Sequence, residues 1–505
     1  MNFILTIINF IKYEVAKMEL HILRVRIILK KVIKKENQIM KQSTFTCITD
    51  CNKNVLYPIY EDRTVCGKIT ETLGYDINKI IDKSFGKLTT IYTLGKYAFE
   101  SITFLGLGKS EEITTRKMRK AFETFAKDNK EEKVFIGLNA VTDSIDVHKV
   151  AEIFTESYAI GAYKEQVIGH EVKAELDMEI LVPGVEIQAD IEIGKMYADG
   201  INNARRLADT PSNMMTPAHL AEEAKKIADQ YENLECEILD KAALEEMGAG
   251  GILAVNQGSH VPACMICLKY NGGEGPYKAV VGKGLTFDSG GYNIKSDSLG
   301  MKYDMCGGAD VLGIMQVLAA TKAKVNVYGI VPTTENLISG KGYKPQDVVK
   351  TLSGKTVEII NTDAEGRMIL CDGLTYAQRL GATHVIDLAT LTGACIRALG
   401  FSYTGVFSND DEFYKAFEAA MSESDEKGWR LPMDDDYFEQ LKSNSADFTN
   451  CGKGGVAGAS VAANFLNAFI EDGVKWIHLD IAGTADNNGK AATGAMIRSV
   501  VNVLK

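Results

Sequence analysis

Histidine, proline and tryptophan are scarce in this chain, with 7, 9 and 2 among 505 residues. The histidines lie scattered. His170-Glu171 lacks the second histidine of an H-E-x-x-H helix, so no imidazole-based metal centre is legible. Nine prolines beside 46 glycines exclude a collagen-like or linker-dominated chain. Cysteine is thin too, at ten. The one close pair, Cys264-x-x-Cys267 in ACMICLKY, has no partner pair at zinc-ribbon spacing and reads as a buried strand. A reducing cytoplasm is the default for such usage. No apolar run approaches the ~20 residues that span a bilayer. Positive charge is in deficit, 56 basic against 67 acidic residues, net −11. That balance disfavours nucleic acid and anionic membrane as partners. Disorder is excluded as well, because 46% hydrophobic and 24% charged residues is an ordinary globular composition.

At ~150 residues per domain the length suggests two or three domains. Residues 1–40 stand apart. Their apolar run Phe3–Ile11 is too short to cross a membrane, and the charges of Lys30, Lys31, Lys34 and Lys35 follow it, whereas a signal peptide has them in front. A basic amphipathic helix lying on a membrane is one reading. An extension upstream of a natural start at Met40 is the other, and the simpler. Residues 41–185 alternate short strands (87–95, 101–108, 133–139) with helical stretches (111–127, 147–163), the rhythm of a smaller N-terminal α/β domain. GLGKSEE (106–112) is not a phosphate loop, because Thr103 stands where a Walker A motif needs glycine. After VPGVEIQ (182–188), residues 186–505 form a larger C-terminal α/β domain. Thr216-Pro217 marks a helix start. Longer apolar strands follow at 263–270, 278–287, 324–334, 383–391 and 476–483, separated by helices. They predict a central, mostly parallel or mixed sheet flanked by helices on both faces.

In such sheets functional groups collect at the carboxyl ends of strands. Three polar clusters sit there. VGKGLTFDSGGYNIKS holds Lys283, Asp288 and Lys295, MKYDMCGG holds Asp304, and NTDAEGR holds Asp363, Glu365 and Arg367. Each cluster alone reads equally well as a glycine-rich turn with solvated acids. Together, four carboxylates on one rim would repel one another unless compensated. Divalent cations supply that compensation, and four carboxylates suit a pair of ions. The donors are oxygen-rich, compatible with zinc, manganese or magnesium.

NTDAEGR (361–367) resembles the signature of the leucine aminopeptidase family, the cytosol aminopeptidases. VGKGLTFDSGG (281–291) and MKYDMCGG (301–308) are similar to that family's other metal-binding segments, in the same order. ARRLADTPSNMMTPAHLAEEA (204–224), DLATLTGA (387–394) and WIHLDIAGTAD (476–486) resemble further family segments, so the likeness covers residues 195–495. It implies a metal-dependent aminopeptidase that releases N-terminal residues from short peptides. It implies that Lys283, Asp288, Asp304, Asp363 and Glu365 bind two divalent ions, Asp288 and Glu365 being shared. Lys283 would ligate as a neutral amine, which asks for a strongly lowered pKa. Lys295 and Arg367 would be the catalytic pair, with a bicarbonate at Arg367 as general base. Met301, Thr390, Leu391 and Gly393 would line the pocket for the first side chain, with leucine or another apolar residue preferred. A cytoplasmic homo-hexamer with sites facing an interior cavity is also implied.

The chain departs from the family at residues 296–303, a loop about two residues shorter than usual, which puts the reach of Lys295 in question. GKAATG (489–494) departs at Ala491 and Ala492, which bears on side-chain preference. Other readings are a DNA-binding or regulatory protein on the same fold, a two-metal phosphoesterase and a catalytically dead assembly protein. DNA binding has only the basic stretch 24–35 in its favour. NTDAEGR, the missing histidines and the full set of presumptive ligands argue against the other two.

Overall fold

The computed structural model describes residues 39–505 apart from 46, 130–132, 139–140, 142–144, 165–176 and 453. The amphipathic-helix reading of the N-terminal segment falls outside these residues. Two compact units are distinguished, one holding the chain up to Tyr158 with a return segment ending at Glu192, the other running from Ile193 to Lys505 with residues 159–168 added.

The first unit is built on a six-stranded sheet in the order Ile39–Gln42, Asp177–Leu181, Lys133–Gly137, Val55–Ile59, Ser101–Gly106, Leu88–Tyr92. All neighbours are parallel except the last pair. The helices follow the apolar spacing of their sequences. Thr114 caps Thr115–Asp128 by accepting the amide of Lys117, and Met118, Phe122 and Phe125 fall on its buried face.

The second unit carries a nine-stranded sheet. Across it run Gly428–Arg430, Thr404–Ser408, Lys475–Asp480, His384–Ala389, Lys278–Gly282, Asn326–Asn336, Cys264–Asn271 and Leu234–Leu239, and Gly284–Asp288 adds to the far end of Asn326–Asn336. The middle is parallel, Thr404–Ser408 joins it antiparallel and carries Gly428–Arg430 parallel at that edge, and the two strands at the other edge are antiparallel. The apolar run 278–287, expected as one strand, is two. The chain breaks step at Lys283 because the helix Cys306–Ala320 presses against that point. A β-carbon on Gly307 would lie 2.0 Å from the Leu388 carbonyl oxygen. That helix and Gly366–Arg379 are buried almost throughout, so the sheet is covered on both faces. Thr216 caps the helix Pro217–Ala228, with proline in its first turn. Cys264 and Cys267 lie on a buried strand, and burial pushes both thiols up to about 12. All ten cysteines are free. No helix among the described residues is long and apolar enough to cross a membrane.

Candidate active site

The parallel strands of the second unit end on one rim. Lys283 sits at the break after Lys278–Gly282, and Asp288 closes Gly284–Asp288. Asp304 lies in the short 3-10 helix Met301–Met305 that leads into Cys306–Ala320. Asp363 and Glu365 directly precede the helix Gly366–Arg379, and Arg367 is in its first turn. Thr390 and Leu391 follow His384–Ala389.

These residues converge. Carboxylate oxygens of Asp288, Asp363 and Glu365 lie within 4.8 Å of one another. Lys283 Nζ stands 2.7 Å from Asp304 Oδ1 and 3.0 Å from Glu365 Oε1. It also donates to the Thr390 carbonyl at 3.0 Å. Lys295 Nζ stands 2.6 Å from Asp288 Oδ2 and 2.5 Å from Asp363 Oδ1. The shortened 296–303 loop therefore does not carry Lys295 away from the cluster. Gly366 is required where Lys283 passes, because a β-carbon there would stand 2.5 Å from Lys283 Cε.

Burial sets the electrostatics. Asp288, Asp304 and Glu365 are at most 8% exposed, and Lys283 is 2% exposed. Burial pushes Asp288 well up, and the charges of Glu365 and Asp304 add to this. Burial raises Asp304 to about 6 even though Lys283 opposes it. Asp363 is raised by burial and by Glu365. Glu365 goes down, because Lys283 and Lys295 outweigh its burial. The lowered pKa expected of Lys283 presupposes bound cations, and without them the protein's own groups act in the other direction overall. Burial alone does pull it down, but Asp304, Glu365 and Asp288 outweigh burial and hold the ammonium above its ordinary range. A neutral Lys283 thus requires the field of a cation, which the protein's own groups do not replace. Lys295 is raised in the same way, against its burial, by Asp288, Glu365 and Asp304.

The donor set fits divalent cations on a specific observation. Asp304 Oδ2 and Glu365 Oε2 are buried without a hydrogen-bond partner. A buried carboxylate oxygen without a donor is costly unless something else meets it. Four carboxylates against two lysines also leave net negative charge in a buried place. Arg367 is buried. Its Nη1 donates to the Asn450 carbonyl at 2.9 Å, and its Nε has no partner. Burial pulls the guanidinium below its ordinary value, against Cys451, Glu365 and Asp480.

Of the residues expected to line a pocket, Thr390 donates its hydroxyl to Asp304 Oδ1 at 2.8 Å. Met301 shares the short helix of Asp304, Leu391 is half-buried, and Gly393 is exposed at the start of Gly393–Leu399. Sequence reasoning missed three supports. Asn336 donates to Asp288 Oδ1 at 2.8 Å. Asn450 accepts from the amides of Ile360 and Asn361 at 2.7 and 3.2 Å. Asp480, fully buried, accepts from Thr392 Oγ1 at 2.6 Å and from the amide of Leu391 at 3.3 Å. Asp480 ends an apolar strand, the same signal that picked out Asp288. The two asparagines carry no such mark.

Comparison with known proteins agrees over most of the chain. Residues 202–501 match the catalytic domain of the cytosol aminopeptidase family, and residues 80–168 match that family's N-terminal domain. A probable cytosol aminopeptidase of Bacillus licheniformis is 38% identical over 470 residues, 88% of this chain and 92% of its own. A mutant of tomato leucine aminopeptidase is similar in structure, with a TM-score of 0.84, 31% identity, and coverage of 93% of this chain and 97% of that one. The bottromycin maturation enzyme BotP in complex with Mn aligns with a TM-score of 0.81 and 28% identity, covering 90% of this chain and 99% of that one.

Proposed function

Because the chain belongs to the cytosol aminopeptidase family and is thereby an aminopeptidase, a hydrolase of peptides, we propose that the rim cluster is its catalytic centre. In this reading it is a two-cation site that releases an apolar N-terminal residue from short peptides. The supporting observation is the buried meeting of Asp288, Asp363 and Glu365 within 4.8 Å, bordered by two lysines. Lys283, Asp288, Asp304, Asp363 and Glu365 would hold the ions, and zinc, manganese and magnesium all suit such donors. Bound there, two divalent cations supply Lewis acidity and an acidic water.

The remaining roles belong to the chain. Lys295 presents a positive charge on an ordered loop beside Asp288 and Asp363, placed to stabilise the oxyanion of a tetrahedral intermediate. Arg367, with an unpaired Nε in a buried setting, would bind an anion such as bicarbonate, which could accept a proton. Thr390 keeps Asp304 and Lys283 in place with its hydroxyl and carbonyl. Met301, Thr390, Leu391 and Gly393 would bound the site of the first side chain and favour leucine or a similar apolar group. A cytoplasmic homo-hexamer belongs to the same proposal.

The test is hydrolysis of leucine p-nitroanilide by the full chain as isolated, after chelation, and after return of Zn2+, Mn2+ or Mg2+, with Asp363→Ala as control. Activity that disappears on chelation, returns with metal and is missing from the variant supports the proposal. Turnover that chelation leaves untouched contradicts it.

A further inference from the structure

We infer that Asn336 is a positioning residue for the cation site, a fully buried, uncharged side chain that bonds both to Asp288 and to the segment carrying Asp363 and Glu365, beside the charged bridge made by Lys295. The inference rests on the two-cation reading above. The strand Asn326–Asn336 runs parallel to Gly284–Asp288 and pairs Asn336 directly with Asp288, after a register shift between Leu285 and Phe287. That irregularity brings the last residue of one strand beside the last residue of the other.

Asn336 is fully buried, and both protons of its amide are used. One goes to Asp288 Oδ1 at 2.8 Å, the other to the carbonyl of Thr362 at 3.0 Å, one residue before Asp363. Its backbone carbonyl also accepts from the amide and hydroxyl of Ser289, at 2.9 and 2.8 Å. With both N–H bonds committed, the amide plane is set and so is the face of Asp288. Asp288 Oδ1 takes neutral donors from Asn336 and from the amide of Gly290 at 2.9 Å, while Oδ2 is turned to Lys295.

The physical need is plain. Asp288, Asp363 and Glu365 come from two chain segments far apart in sequence, and like charges held this close push those segments apart. A buried amide that bonds to both resists that separation without adding charge of its own. An aspartate at the same place would add a further carboxylate, and an aliphatic residue would break the direct link, leaving Asp288 Oδ1 to the Gly290 amide and the Thr362 carbonyl to the Tyr343 hydroxyl. Groups that orient metal ligands typically alter metal affinity by ~10–100-fold when removed.

The experiment is equilibrium dialysis of the metal-free full chain against Mn2+, comparing wild type with Asn336→Ala and Asn336→Ser. Thermal melting is recorded in parallel, and leucine p-nitroanilide turnover is followed as a function of Mn2+. We expect ~10–100-fold weaker binding of at least one ion in both variants, with turnover recovering as Mn2+ is raised. Rescue by excess metal is a readout that a merely structural role would not move. Mn2+ binding equal to wild type, with loss confined to melting temperature or to metal-independent kcat, overturns the inference. If Asn336→Ala does not fold, Asn336→Ser carries the same test, since it is polar and too short to bridge both partners. Wild type that takes up no Mn2+ at all overturns the two-cation reading and this inference with it. Wild type that binds while the variants bind equally well overturns only the role of Asn336.

Discussion

The two ends of the nine-stranded sheet both carry charged side chains, and they treat them in opposite ways. At the amino ends Lys278, His384 and Lys475 stand opposite one another on adjacent strands. There each charge is met by ordinary means. Lys278 donates to the Leu504 carbonyl at 2.8 Å, at the end of the helix Ile497–Leu504. Lys475 pairs with Asp410 at 3.4 Å and Glu412 at 3.8 Å, and both lysines keep contact with water. At the carboxyl ends, carboxylates outnumber cations, the groups are buried, and oxygens of Asp304 and Glu365 find no donor. Charge at a strand end is thus not the mark of a site. What sets the carboxyl-end cluster apart is the convergence of buried carboxylates together with unmet acceptors.

Substitutions at the two ends should separate them sharply. The largest effect is expected for Glu365→Gln, which keeps shape and removes one charge. We expect kcat/KM for leucine p-nitroanilide to fall on the order of 10³-fold or more. Melting temperature of the metal-free protein should fall, because Lys283 and Lys295 hold the Glu365 charge and its removal leaves the buried Lys283 ammonium less compensated. Lys295→Met comes next, with kcat lowered by ~10²–10³-fold, the cost of losing one preorganised oxyanion donor. Steady-state kinetics should show the loss in kcat more than in KM.

A smaller effect is expected at the middle of the sheet. His478 shares buried Asp387 with Trp476, at 2.6 Å and 2.7 Å. Burial pulls His478 down, but Asp387 and Asp480 outweigh it and raise the imidazole above its ordinary value. A raised histidine binds its proton more tightly folded than unfolded. Its contribution is therefore complete below the unfolded pKa of ~6.5 and is lost as pH rises through the folded value. Urea unfolding of wild type against His478→Gln across that window should show the wild-type advantage shrinking as pH rises. An advantage that grows with pH would contradict the pairing. The smallest effect belongs to Lys475→Met at the amino end, with stability changed by less than ~0.5 kcal/mol and turnover unchanged. A large loss of activity there would break the comparison between the two ends.

Much of this contrast was legible in the sequence. Lys283 inside an apolar strand and Asp288 directly after Phe287 are charges placed where burial is inevitable, and NTDAEGR names the third segment. The alternation of apolar strands and helices gave the α/β class and the covered sheet. What sequence could not show depends on three-dimensional register. The break at Lys283 comes from a helix packed against it, which no local pattern records. Asn336 matters only because a register shift sets it beside Asp288. Thr390 was expected at a pocket, and its bonds to Asp304 and Lys283 depend on two strands ending at the same level. At Lys283 the balance of burial against three nearby carboxylates likewise depends on packing that no local sequence pattern records.

The most direct test is anomalous diffraction from crystals of the full chain grown with Mn2+. The account predicts two Mn2+ peaks bounded by Lys283, Asp288, Asp304, Asp363 and Glu365. Crystals saturated with Mn2+ that show no peak among these residues, or peaks only elsewhere, would contradict it.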